Sequence, residues 1–183
     1  MMTRIARCCC GSLRAEVTGE PWIVAICHCT ECQRRTGSVF NVSAHFPKQQ
    51  VRIEGPSKVY VRAGDSGRKV EFHFCPDCGT SVFWYAEARP DHIGIASGTF
   101  ADRSMMPWPT VSIWEPRRHP WVTFDHPVNR FTDQASTPAQ RLRPGQLDLQ
   151  SGEVNQDHPG GVALHHRVHV QRSRTRDFRG KPE

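Results

Sequence analysis

Eight cysteines in a chain of 183 residues fall into three tight groups: Cys8-Cys9-Cys10, Cys27-x-Cys29-x-x-Cys32 and Cys75-x-x-Cys78. A C-x-x-C turn brings two sulfurs to one point, and C-x-C does the same when its central residue points away. Neither spacing favours a structural disulfide within a group. If Cys8 and Cys10 share a face, Cys9 points elsewhere as a packed or incidental thiol, and seven sulfurs remain. Two and two, from Cys8, Cys10, Cys75 and Cys78, make a closed four-thiolate site of the structural kind for Zn²⁺. Three, from Cys27, Cys29 and Cys32, leave a fourth position open, and open positions are where metal chemistry happens. The spacing equally allows Cys27, Cys29 and Cys32 to share ligands with Cys75 and Cys78. His28 lies between two candidate ligands and is expected to point away from their metal.

Met1-Met2-Thr3-Arg4 leads straight into the first group, with no secretory h-region and no apolar run of membrane-spanning length in the chain. A soluble cytoplasmic protein without membrane contact is expected. In a reducing compartment clustered cysteines bind metal more often than they pair. The net charge of +6 is spread along the chain, with tight basic pairs only at Arg34-Arg35 and Arg117-Arg118 and a basic C-terminal stretch. No nucleic-acid motif accompanies this charge, so it reads as solubility and not as a nucleic-acid footprint.

The composition changes near residue 131. All eight cysteines, all five tryptophans and both tyrosines precede it, and Phe178 is the only aromatic residue after it. Residues 132–183 are too poor in apolar side chains to offset their ordering entropy and are expected to form a disordered tail. Residues 1–131 are expected to form one domain, mainly β. Short runs rich in Val, Phe, Tyr and Ile at 12–19, 38–46, 50–55, 58–63, 69–74, 81–86 and 92–100 read as strands. Residues 110–114 and 121–124, bounded by prolines, read as two edge strands. The one short helix is expected at 30–37, with Thr30 as its N-cap and Gly37 at its end. Gly11, Gly37, Phe40 and Gly79 read as turn and packing positions, and Trp114 and Trp121 as core.

Three thiolates on Zn²⁺ leave it net negative, a weak Lewis acid and a poor activator of water. It can still hold a fourth thiol as thiolate. Thiol exchange, or making and breaking a C–S bond, suits such a site. Arg34 and Arg35 follow it directly and are candidates to hold the carboxylates of a thiol substrate.

The segments CCCGSLRAEV, CHCTECQRRTGSVF, FHFCPDCGTSVFW, ASGTF and IWEPRRHPWVTF occur in the order found in the glutathione-dependent formaldehyde-activating enzyme family, which includes centromere protein V-like proteins. The chain resembles that family from about Cys8 to Phe131. The resemblance implies a β-tent type fold of two or three small antiparallel sheets tied by zinc. It implies structural zinc ligands at Cys8, Cys10, Cys75 and Cys78, and a catalytic-type zinc site at Cys27, Cys29 and Cys32. It further implies a carbon–sulfur lyase that joins glutathione and formaldehyde as S-hydroxymethylglutathione. The alternative is a zinc-stabilised β module that binds protein or nucleic acid without catalysis.

Overall fold

The computed structural model describes residues 2–64, 67–100, 102 and 106–133. The chain divides into two units, Met1–Leu147 and Asp148–Glu183, and every described residue belongs to the first. The expected tail lies outside the described residues, apart from Thr132 and Asp133.

The architecture is mainly β, as the alternating apolar runs predict. Strands β1 (Thr3–Arg7), β2 (Arg14–Thr18) and β5 (Val51–Glu54) form a three-stranded sheet in the order β1-β2-β5. The other eight strands form a second sheet. They are β3 (Ile23–Cys27), β4 (Asn41–Pro47), β6 (Lys58–Ala63), β7 (Lys69–Phe74), β8 (Ser81–Ala86), β9 (His92–Ala96), β10 (Val111–Ile113) and β11 (Asn129–Phe131). Their order is β11-β10-β3-β4-β9-β8-β7-β6. Among the described residues a single α-helix, α1 (Thr30–Thr36), interrupts the strands.

Alternation explains the strands with one wet face. In β2, Ala15 and Val17 are buried between exposed or half-buried neighbours, as a period of two requires. β3 follows a different rule. All five residues of Ile-Val-Ala-Ile-Cys are buried, so both faces of this strand are covered. Ile23, Ala25 and Cys27 enter one core with Val111 and Ile113. Val24, on the other face, joins the larger core of Leu13, Phe46, Phe83 and Ile95 that closes against the small sheet. A continuous apolar run is what a doubly covered strand looks like in sequence.

Three expectations are corrected. Residues 110–114 do form a strand, but β10 is internal, parallel to β3 on one side and to β11 on the other. The large sheet is therefore not antiparallel throughout. Residues 121–124 form no strand. The Val122 N–H is used in a turn to the His119 carbonyl, and the Val122 carbonyl accepts from the Arg118 guanidinium, so neither group is free for a ladder. β11 at Asn129–Phe131 takes the place beside β10. Trp121 is consequently on the surface, 68% exposed, and not in the core. Trp114 does pack against the second core, with the Arg117 guanidinium 4.6 Å from its ring centroid.

Candidate metal centres

The β1–β2 turn carries the first cysteine group. The Cys8 N–H donates to the Leu13 carbonyl (2.9 Å) and Gly11 N–H to the Cys8 carbonyl (3.1 Å), with Gly11 at φ 85°. The β7–β8 turn repeats this design. Cys75 N–H donates to the Thr80 carbonyl (3.0 Å) and Gly79 N–H to the Cys75 carbonyl (3.0 Å), with Gly79 at φ 73°. Both turns need the left-handed backbone that glycine adopts without a Cβ penalty. They meet with the sulfurs of Cys8, Cys10, Cys75 and Cys78 all within 4.8 Å of one another. Cys10 Sγ lies 3.4 Å from Cys8 Sγ and 3.5 Å from Cys75 Sγ. A tetrahedron of thiolates about 2.3 Å from a zinc ion has S···S edges of about 3.8 Å, so four thiols gathered this closely fit a metal.

Two hydroxyls that the cysteine spacing does not reveal complete this group. Ser12 Oγ is 3.1 Å from both Cys10 Sγ and Cys75 Sγ. Thr80 Oγ1 is 3.3 Å from Cys78 Sγ; its hydroxyl, followed by its backbone N–H, pulls that thiol down to about 5. Cys9 stands outside the four, exposed, its backbone N–H on Thr80 Oγ1 (3.2 Å).

The second group is gathered at the junction of β3 and α1. Cys27 ends β3. Cys29, rather than Thr30, is the N-cap of α1, and its sulfur accepts from the Cys32 N–H (3.4 Å). The helix closes at Gly37, left-handed at φ 67°, whose N–H bonds the Gln33 carbonyl. The sulfurs of Cys27, Cys29 and Cys32 lie within 4.8 Å of one another. No fourth Cys, His, Asp or Glu joins them among the described residues. Hydrogen bonds from Cys27 and then Cys32 pull the Cys29 thiol far down, and the charge of Arg62 adds to this. Cys27 is pushed far up by its hydrogen bonds with Cys29 and Cys32 and by burial.

His28 is fully buried and outside the sulfur group, as its position between two candidate ligands predicts. Its Nε2 lies 3.1 Å from Ser112 Oγ, and the Ser112 hydroxyl donates to the Glu115 carboxylate. Arg118 Nε donates to the second oxygen of Glu115 (2.9 Å). Burial would raise the Glu115 carboxyl, but Ser112 and Arg118 outweigh it and hold it below the ordinary value. Gln33 Nε2 donates to the His28 carbonyl (2.8 Å). This chain of polar groups fixes the middle residue of C-x-C from both sides.

The two candidate arginines part company. Arg34 is 72% exposed and paired with Glu31 (2.8 Å). Arg35 turns inward. Its guanidinium lies 4.7 Å from the Phe72 ring centroid and 5.1 Å from that of Trp84. It donates to Asn41 Oδ1 (2.8 Å) and is within hydrogen-bonding reach of Cys32. Both arginines line a cleft of about 440 Å³ with Glu31, Tyr60, Arg62 and Phe72 among its walls. Among the described residues no helix is long and apolar enough to cross a membrane.

Fold and site thus define a mainly β protein with two separate cysteine groups able to hold metal. The family model for the glutathione-dependent formaldehyde-activating enzyme matches residues 3–121, and the chain belongs to that family. A Fusarium vanettenii protein, provisionally named a glutathione-dependent formaldehyde-activating enzyme, is 31% identical over 80 residues. That match spans 42% of this chain and 42% of the relative's length. A solved Rhodobacter sphaeroides protein superposes with a TM-score of 0.44 at 20% identity, covering 57% of this chain and 98% of that one.

Proposed function

We propose that the protein is a zinc-dependent carbon–sulfur lyase acting on the adduct of a small glutathione-like thiol and an aldehyde such as formaldehyde. The observation that carries this reading is an incomplete set of three thiols, Cys27, Cys29 and Cys32, beside a cleft lined by arginine. The four-thiol group of Cys8, Cys10, Cys75 and Cys78 fits a structural zinc; the three-thiol group fits an ion with one position left for substrate. Zinc bound by Cys27, Cys29 and Cys32 would favour the thiolate form of an incoming thiol.

The protein's own residues would do the rest. Arg35 beside Cys32, and Arg34 at the rim, would hold the thiol's carboxylates by charge-assisted hydrogen bonds. Phe72 and Trp84 would exclude water beneath them. In the forward direction the thiol sulfur bonds to the carbonyl carbon, the π pair moves to oxygen, and the thiol proton ends on that oxygen as a hydroxyl. The lyase direction returns the proton and breaks the C–S bond.

The test is exchange spectroscopy by NMR on glutathione, formaldehyde and their adduct, with metal content measured on the same sample. Faster exchange with the wild-type protein, lost in Cys29→Ser with one equivalent of zinc, is expected. No acceleration by protein carrying two equivalents would overturn the reading.

A further inference from the structure

Strand β6 bounds the large sheet and has no neighbour on its outer side among the described residues. Most of its residues are exposed, including Tyr60 at 56%. Its register with β7 pairs Tyr60 with Phe72 and Lys58 with Phe74. Since side chains alternate between faces, Tyr60 and Arg62 share a face with Phe72 and Phe74. All four line the cleft. The next strand continues the floor, because Phe72 pairs with Trp84 across β7–β8 and the two rings lie 5.8 Å apart.

Two guanidiniums meet on this floor. Arg35 is 4.7 Å from the Phe72 ring centroid and Arg62 is 5.7 Å from it. Arg35 donates to Asn41 Oδ1 but its buried Nε has no hydrogen-bond partner among the described residues, and Arg62 donates to the carbonyl of Ala63 (3.0 Å). Neither meets a carboxylate among the described residues, whereas Arg34 beside them is neutralised by Glu31. Each of the two repels the other's charge. Like charges held together on one apolar ring, in a partly desolvated cleft, favour an anion between them. Arg35 lies one turn after Cys32 on α1, so an anion held by Arg35 would sit beside the three-sulfur group.

We propose that Arg35 and Arg62, brought together on Phe72, form the carboxylate subsite of the cleft, and that edge strand β6 selects for small thiols that carry a carboxylate. The inference rests on the function proposed above for the location of the thiol, and it adds Arg62, Tyr60 and β6 as determinants of which thiol is taken. The guanidinium forks grip the carboxylate, Phe72 and Tyr60 cover the aliphatic part, and the sulfur extends to Cys27, Cys29 and Cys32. A cleft of about 440 Å³ falls within the range that holds small ligands.

The test uses the full chain loaded with metal. S-methylglutathione keeps the carboxylates but has no thiol, and its diethyl ester has neither. Calorimetry should show binding of S-methylglutathione and none of the ester. Arg62→Gln should weaken that binding roughly 10- to 100-fold, the range for hydrogen bonds to a charged group, and Arg62→Lys should recover part of it. Arg62 is half-exposed on an edge strand, so the Gln variant is expected to keep the wild-type far-UV spectrum. With glutathione and formaldehyde as substrates, the same variant should raise KM and leave kcat near wild type. Equal affinity of wild type and Arg62→Gln, binding of the ester as tight as the acid, or no binding by wild type would overturn the proposal. Arg62-dependent binding without any turnover would sustain the anion cleft and sink the lyase. Turnover indifferent to Arg62 would do the reverse.

Discussion

The four-cysteine group joins two turns 65 residues apart in sequence (Cys10 to Cys75), whereas the three-cysteine group is gathered by one strand end and one helix start. Their surroundings differ as much as their making. Cys10 and Cys78 are exposed, and Ser12 and Thr80 hydroxyls crowd the sulfurs. Cys27 and Cys29 are buried against Val111 and Ile113, and the polar groups that reach them belong to an arginine-lined cleft. The more exposed group has its full complement of donors; the more buried one lacks a donor. On the function proposed above, donor count and charged neighbours, and not access to solvent, distinguish the reactive group.

Paired substitutions test this contrast most severely. On the zinc assignment proposed above, Cys75→Ser should unfold the domain, because a structural zinc would contribute about 10–16 kcal/mol, as much as a whole domain's usual stability. Cys29→Ser should keep the folded far-UV spectrum and lose one metal equivalent by elemental analysis. Equal unfolding of both variants would erase the distinction.

A pH series probes the sheet both groups share. Burial pushes the His45 imidazole down to about 3, with the charge of Arg89 adding to it. The unfolded chain binds a proton near pH 6.5 that the folded chain refuses. This contribution is fully present above pH 6.5 and lost as the pH falls toward 3, with a slope approaching about 1.4 kcal/mol per unit. Urea titrations between pH 7 and 4 should show that slope, and His45→Gln should flatten it.

Gly94 offers a smaller, one-sided perturbation. A Cβ there would come 2.3 Å from Trp84 Nε1, and Trp84 lies under Arg35. Gly94→Ala should cost about 1–3 kcal/mol by overpacking, read from the urea midpoint. It should disturb the cleft and leave the metal of the four-cysteine group in place. Smallest of all, Arg34→Ala should change stability by less than about 0.5 kcal/mol, since its ion pair with Glu31 is exposed.

Much of this was legible in the residues. C-x-x-C and C-x-C spacings predict local turns, and local turns are what bring each sulfur pair together. The division into four and three follows the count, and the helix at 30–37 is found within one residue. β3 escaped because Ile23–Cys27 does not alternate, and β1 because Thr-Arg-Ile-Ala-Arg carries two arginines, one of them buried on Glu20. Arg62 escaped for a different reason. It lies 27 residues from Arg35, and only the register of β6 with β7, together with the packing of α1, puts both on Phe72. Local chemistry can be read from spacing; a cleft assembled by sheet register cannot.

The parallel pairing of β10 with β3 sets Ile113 beside Cys27, and this has a bearing on synthesis. Cys27, Cys29 and Cys32 leave the ribosome early, yet the strand that brackets them follows some 80 residues later, a delay on the order of ten seconds at ordinary elongation rates. The four-cysteine group needs nothing beyond Thr80 to close. The four thiols of Cys8, Cys10, Cys75 and Cys78 can therefore gather before Val111 and Ile113, which pack against Cys27, have been made.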